Sequence, residues 1–201
     1  MSTLSVIIPT FQHANTIVRC LDALFLQSRL PEEIIVVDDG STDQTKEVLI
    51  PYLDKIQYVF QKNQGAPVAR NQGFSLSTGD LVIFCDADAI LDSSMLEHLE
   101  QALEEHREAS WAYSSFYWGR KLFQGKAFHV QELKEYNYIH TTSLIRRNDF
   151  PGFDPSLKRF QDWDLWLTMA KQGKKGIFVD EVLFQILVEK NRSAYSTWLP
   201  K

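Results

Sequence analysis

Leu81-Val82-Ile83-Phe84-Cys85-Asp86-Ala87-Asp88 is an apolar run that breaks directly into a pair of carboxylates. A short, unbroken apolar run reads as a strand buried on both faces, which belongs in a parallel sheet. Carboxylates at i and i+2 of an extended segment project to the same side. Asp86 and Asp88 therefore form a two-oxygen-donor group at a strand end. A hard divalent cation takes such ligands, usually few carboxylates together with substrate phosphates. The plain alternative is a polar strand end followed by a turn.

Working outward, the same alternation recurs upstream. Residues 4–9 are an apolar, β-branched run stopped by Pro9. Ile17, Leu21, Leu24 and Phe25 then fall at helical spacing within residues 14–27. Residues 33–37 form a second buried strand, running into the turn formers Asp38-Asp39-Gly40-Ser41. Ser41 and Gln44 fit a capping box that opens a second helix. A strand over residues 56–60 and a helix over residues 66–77 complete the series before Leu81. This pattern predicts an α/β fold, a mostly parallel central sheet with helices on both faces. Ligands of such sheets bind beyond the carboxyl ends of the strands, where the acidic and glycine-bearing segments fall.

Downstream, residues 93–106 read as a helix and residues 111–117 and 121–130 as strands joined around Gly119. Residues 141–146 and 176–183 are further strands, and residues 162–171 a helix ended by Gly173. Trp111, Tyr113, Phe116, Tyr117 and Trp118 are read as core and sheet packing, the alternative being a platform on which sugars stack. No repeat, low-complexity tract or linker interrupts the chain. One domain over residues 1–201 is expected, with a first part to about residue 92, a second over 93–184, and a tail over 185–201.

The 201 residues are 44% hydrophobic and 23% charged, with a net charge of -5, which argues against a broad nucleic-acid or anionic-lipid footprint. Cys20 and Cys85 lie far apart among apolar residues and read as buried free thiols in a reducing cytoplasm. The start of the chain has no basic region leading into an apolar leader, and no apolar window reaches the length of a membrane span. A cytoplasmic protein, or one peripheral at the inner membrane face, is expected.

Two more motifs bear on chemistry. A carboxylate at the end of residues 33–37, such as Asp39, can accept the imide N–H of uracil or the N–H groups of guanine, although Asp and Ser also end strands and cap helices for purely structural reasons. Asn63-Gln64-Gly65 leads into Ala69-Arg70-Asn71, where Arg70 can reach a diphosphate or remain a helix-surface cation. The phosphate-loop and G-x-G-x-x-G patterns are absent.

Taken together, residues 4–11, Asp38 to Asp43, Ala69-Arg70-Asn71, Thr78-Gly79-Asp80 and Asp86-Ala87-Asp88 resemble the nucleotide-binding half of family 2 glycosyltransferases, densely over residues 4–92 and more thinly to about 184. The resemblance implies the GT-A fold and inverting transfer of a sugar from a nucleotide diphosphate, with a UDP-sugar favoured, to a carbohydrate or lipid-linked acceptor. It also implies a Mn²⁺ or Mg²⁺ cofactor. Pro9, Thr10 and Phe11 would line the nucleoside pocket, Asp39 would contact the base, and Arg70 would lie near the diphosphate. Asp86 would face the ribose or donor sugar, and Asp88 would bind the metal. Asp162, in Gln161-Asp162-Trp163-Asp164, matches the family's catalytic base, with Asp164 as the fallback.

The chain departs from the family in two places. Gln161 stands where a glutamate is usual, and no histidine follows His140; Lys190, Asn191 and Arg192 could substitute through phosphate contacts. These departures are the support for a degenerate, non-catalytic nucleotide-sugar-binding protein. A sugar nucleotidyltransferase would instead carry a glycine- and arginine-containing loop after the first strand, where Pro9-Thr10-Phe11-Gln12 stands.

Overall fold

The computed structural model describes residues 2–188. Its first half alternates β1 (Leu4–Thr10), α1 (Ile17–Phe25), β2 (Glu33–Asp38), α2 (Thr45–Leu49), β3 (Gln57–Phe60), α3 (Ala66–Leu76) and β4 (Leu81–Phe84). Its second half runs through β5 (Ala89–Leu91), α4 (Met95–Glu105), β6 (Trp111–Trp118), β7 (Lys121–Phe123), α5 (Val130–Glu135), β8 (Leu144–Arg146), α6 (Gln161–Lys171) and β9 (Gly176–Ile186). The strands make one sheet in the order β3-β2-β1-β4-β8-β6-β9-β5, with β7 paired to β6. β1 to β4 are all parallel, so their carboxyl ends share one edge. The second half is mixed: β8 is antiparallel to β4 and β6, while β9 runs parallel to β6.

Both faces of this sheet are covered, because alternate strand residues project to opposite sides. Ile7, Val82 and Phe84 join Trp111, Leu165, Trp166 and Met169 on the α5–α6 side. Val6, Ile8 and Ile83 join Ile17, Leu21, Leu24, Leu96 and Leu99 on the α1–α4 side. α3 comes unusually close to β1: a Cβ on Gly73 would sit 2.4 Å from the Ile7 side chain. We expect Gly73→Ala to destabilise the fold by about 1–3 kcal/mol through overpacking, read as a lower denaturant midpoint at constant slope.

The structure corrects several local expectations. The capping box at Ser41 does not form. α2 starts at Thr45, and the Asp43 carboxylate accepts the Thr45 amide and hydroxyl, while the Ser41 hydroxyl accepts the Gln12 amide. Residues 121–130 are a short strand, β7, followed by irregular chain into α5, rather than one long strand. Trp111, Tyr113 and Phe116 are core, but Tyr117 is exposed. Cys20 and Cys85 are fully buried and free, as read from sequence, yet their sulfurs lie 3.6 Å apart behind the Asp86 carbonyl.

Candidate functional site

Arg70 is the centre of the site. α3 carries it to the carboxyl edge of the sheet, where its Nη2 donates to Asp86 Oδ1 at 2.8 Å and its Nη1 to Gln161 Oε1 at 2.8 Å. Its guanidinium lies over the Phe153 ring, 5.3 Å from the centroid. The next residue, Asn71, fixes that ring's segment by pairing with both the amide and the carbonyl of Phe153. Arg70 is only 7% exposed, and its Nε has no hydrogen-bond partner among the described residues. Among the described residues this buried cation is paired with one carboxylate, Asp86, and one neutral amide, which leaves positive charge for an anion at the sheet edge. Gln161 strengthens this: a glutamate there would split the guanidinium charge between two carboxylates, whereas the amide leaves that charge to Asp86 and to a ligand.

Asp86 stands one residue past Cys85, whose amide donates to the Ile7 carbonyl and so extends the β1–β4 ladder. Burial alone would push the Asp86 carboxyl up, but the neighbouring Arg70 charge holds it below the ordinary carboxylate range. Asp88 follows in the turn closed by the Ala89 amide on the Asp86 carbonyl. The Asp88 carbonyl accepts the Leu187 amide, and β5 pairs with β9, so the acidic turn is tied to the end of the last strand. No group of three or more acidic, histidine or cysteine side chains poised for a metal occurs among the described residues. Asp86 and Asp88 are oxygen donors too few for a protein-only cage. They fit a Mg²⁺- or Mn²⁺-like ion that completes its shell with phosphate and water.

The nucleoside-side residues lie along the ends of β1 and β2. Pro9 and Thr10 are buried in β1, and the Thr10 hydroxyl has no partner among the described residues. Phe11 is 43% exposed just beyond. Gln12 then adopts a left-handed backbone (φ 59°), held there by its side chain, which bonds the Thr42 and Asp43 amides and the Thr42 hydroxyl. Asp39 is buried, and its carboxylate accepts the Gln61 amide group and the Gln64 and Gly65 backbone N–H groups. Asp39 thus anchors the loop that leads into α3, and one lone-pair direction on Oδ2 is left for a further donor.

Asp162 lies in the first turn of α6, beside Gln161 and hence beside Arg70. Its Oδ1 accepts its neighbour's Trp163 amide, and its Oδ2 accepts the Asn137 side-chain amide at 2.9 Å. Burial pushes the carboxyl up to about 6, with the Trp163 amide and Arg70 opposing and Asp86 adding. Asp164 is pushed up less, by milder burial and by Asp154. The site therefore gathers Arg70, Asp86, Gln161 and Asp162, with Asp88 in the adjoining turn, and keeps Asp39 one loop away. Lys190, Asn191 and Arg192 lie outside the described residues. Sequence reading passed over Asn137 and His140, which contact Asp162 and Asp86 respectively.

Residues 5–153 match the family model described as glycosyl transferase family 2. A putative teichuronic acid biosynthesis glycosyltransferase of Bacillus subtilis is 28% identical over 210 residues, covering 96% of this chain and 82% of that protein. An uncharacterized glycosyltransferase of a Nostoc species is 35% identical over 105 residues, 50% of this chain and only 33% of its own length. This chain thus spans about a third of the Nostoc relative, and likewise 35% of an uncharacterized Escherichia coli glycosyltransferase. Among solved structures, S. aureus TarS in complex with UDP-GlcNAc superposes with a TM-score of 0.77 at 24% identity, over 96% of this chain and 61% of that one. The mannosyltransferase PcManGT of Pyrobaculum calidifontis, in complex with GDP-Man and Mn²⁺, gives 0.74 at 19% identity, over 98% and 59%. At such identities these two likenesses speak to the fold. With the family match covering most of the chain, this protein belongs to glycosyl transferase family 2 and has the GT-A fold.

Proposed function

We propose that this glycosyltransferase moves a sugar from a UDP-sugar to an acceptor hydroxyl with inversion at the anomeric carbon. The observation that carries this is the buried Arg70 guanidinium, paired to one carboxylate and one neutral amide, next to a carboxyl poised near neutrality. Arg70 holds the diphosphate and Asp86 faces the ribose or sugar. Pro9, Thr10 and Phe11 line the nucleoside pocket, and Asp39 offers its remaining lone pair to the base. Asp162 takes the proton from the acceptor hydroxyl as that oxygen bonds to the anomeric carbon. The bond from that carbon to the diphosphate oxygen breaks, its electron pair leaving with the nucleotide. Asp88 would hold a Mn²⁺ or Mg²⁺, which would offset charge growing on the leaving group.

TarS was solved with UDP-GlcNAc and the archaeal enzyme with GDP-Man and Mn²⁺, which supports a nucleotide-sugar donor and a divalent ion here. The name of the Bacillus relative supports a carbohydrate or lipid-linked acceptor in surface-polymer synthesis. None of the described helices is long and apolar enough to cross a membrane. The location we propose is the cytoplasm, with a peripheral position at the inner membrane face as the alternative.

Calorimetric titration with UDP, GDP, CDP and dTDP, each with and without Mn²⁺, tests the donor class. Metal-dependent binding of UDP is the expected result. Tighter binding of another nucleotide would replace UDP, and no binding by folded protein would overturn the donor site itself.

A further inference from the structure

Two side chains outside the family motifs reach the two working carboxylates from one short segment. Residues 136–143, between α5 and β8, carry no helix or strand, yet Ile139 to Ser143 are almost fully buried. The segment is pinned to α6 by the Trp166 indole, which donates to the Ile139 carbonyl at 3.0 Å. Within it the same local device occurs twice. The Ile139 amide donates to Asn137 Oδ1 at 3.1 Å, and the Thr142 amide donates to His140 Nδ1 at 3.0 Å.

Each device fixes which way a polar group faces. With its oxygen occupied by Ile139, Asn137 can present only N–H to Asp162, and it does so at 2.9 Å. With Nδ1 accepting from Thr142, the His140 ring proton must sit on Nε2, which faces Asp86 Oδ2 at 3.7 Å. Phe116 and Phe184 flank the imidazole at 4.9 and 5.1 Å, so it cannot swing away. Arg70 already occupies the other Asp86 oxygen, Oδ1.

We propose that the Asn137–Thr142 segment is a positioning element that holds the donor-side carboxylate and the base in fixed mutual register, through His140 on Asp86 and Asn137 on Asp162. The inference rests on the donor site and base proposed above and adds two positioning residues to them. An imidazole whose Nδ1 accepts a hydrogen bond is neutral, so His140 turns an uncharged N–H towards Asp86. The charged groups facing Asp162 are Arg70 on α3 and Asp86 beyond β4. Asn137 is the neutral contact that lets the base ionise without adding charge.

The test separates the two arms. Binding of UDP with Mn²⁺ is measured by calorimetry, and turnover as UDP released from UDP-GlcNAc, UDP-glucose or UDP-galactose across pH. His140→Phe, which keeps a ring between Phe116 and Phe184, should weaken UDP binding by about ten-fold and leave the pH midpoint of turnover in place. His140→Gln, whose amide can donate to Asp86, should recover most of that affinity. Asn137→Asp should raise the pH midpoint by setting a second carboxylate against Asp162, with UDP affinity within about two-fold of wild type. Asn137→Ala should lower turnover by about ten-fold with the same unchanged affinity. A segment needed only for folding would move affinity and turnover together in all four variants, which would overturn the proposal, as would no change in any. Wild-type protein that neither binds UDP nor releases it would instead remove the donor reading, and this inference with it.

Discussion

Asp162→Asn should abolish transfer and stabilise the protein at the same time. The base supplies on the order of 10²- to 10⁴-fold in rate, so turnover should fall by that much, while UDP binding persists. The stability gain follows from linkage. Burial raises the Asp162 carboxyl to about 6 from its ordinary 3.8, so the folded state prefers it protonated. That preference favours folding below the ordinary value and is lost as pH rises through about 6. Above that pH the folded protein holds a carboxylate it would rather neutralise, at a penalty on the order of 3 kcal/mol. The amide removes the penalty but gives up one acceptor oxygen, so a net gain of about 1–2 kcal/mol is expected at pH 8 and little at pH 4. In wild type, turnover should rise with pH along a limb centred near 6. Thermal melts at both pH values check the first claim, and a pH–rate profile the second. A variant that loses stability at pH 8, or retains turnover, contradicts the role given to Asp162; retained turnover would move the base to Asp164.

Asp88→Ala should remove the metal-dependent part of nucleotide affinity while leaving the fold intact. The Asp88 side chain is partly exposed, and alanine keeps the backbone carbonyl that accepts the Leu187 amide. In wild type Mn²⁺ should tighten UDP binding at least about ten-fold, or about 1.4 kcal/mol. In the variant the curves with and without Mn²⁺ should coincide, near the metal-free wild-type value. The residual affinity would report Arg70 and the nucleoside pocket. Metal dependence unchanged in Asp88→Ala would place the ion elsewhere.

Much of the first half was legible because its signals are local. The β1, β2 and β4 runs are apolar and β-branched, each ends at a turn former, and helical stripes such as Ile17, Leu21 and Leu24 separate them. β5 was not legible: it has three residues, and only its pairing with β9 makes it a strand. α5 has a single fully buried residue, Leu133, so no apolar stripe announced it. The capping box failed because Gln12, from a distant turn, competes for the Ser41–Asp43 loop. In the site, Arg70, Asp86 and Asp162 could be named from spaced motifs. Asn137 could not, since its partner is 25 residues away and a lone Asn in a loop carries no pattern. The one signal for His140 was its being the last histidine in the chain, and that pointed to a lack rather than a contact.

The Cys20–Cys85 pair makes a practical gauge of this molecule. Both thiols are wholly shielded from solvent, one on α1 and one at the end of β4, so a thiol reagent can reach them only when the sheet and that helix come apart. Their labelling rate should then count rare openings of the folded chain instead of surface chemistry. A ligand that binds only the closed form slows such openings in proportion to its occupancy. Candidate nucleotides and ions can therefore be ranked by how long the sulfurs stay unlabelled, with no knowledge of the sugar or the acceptor.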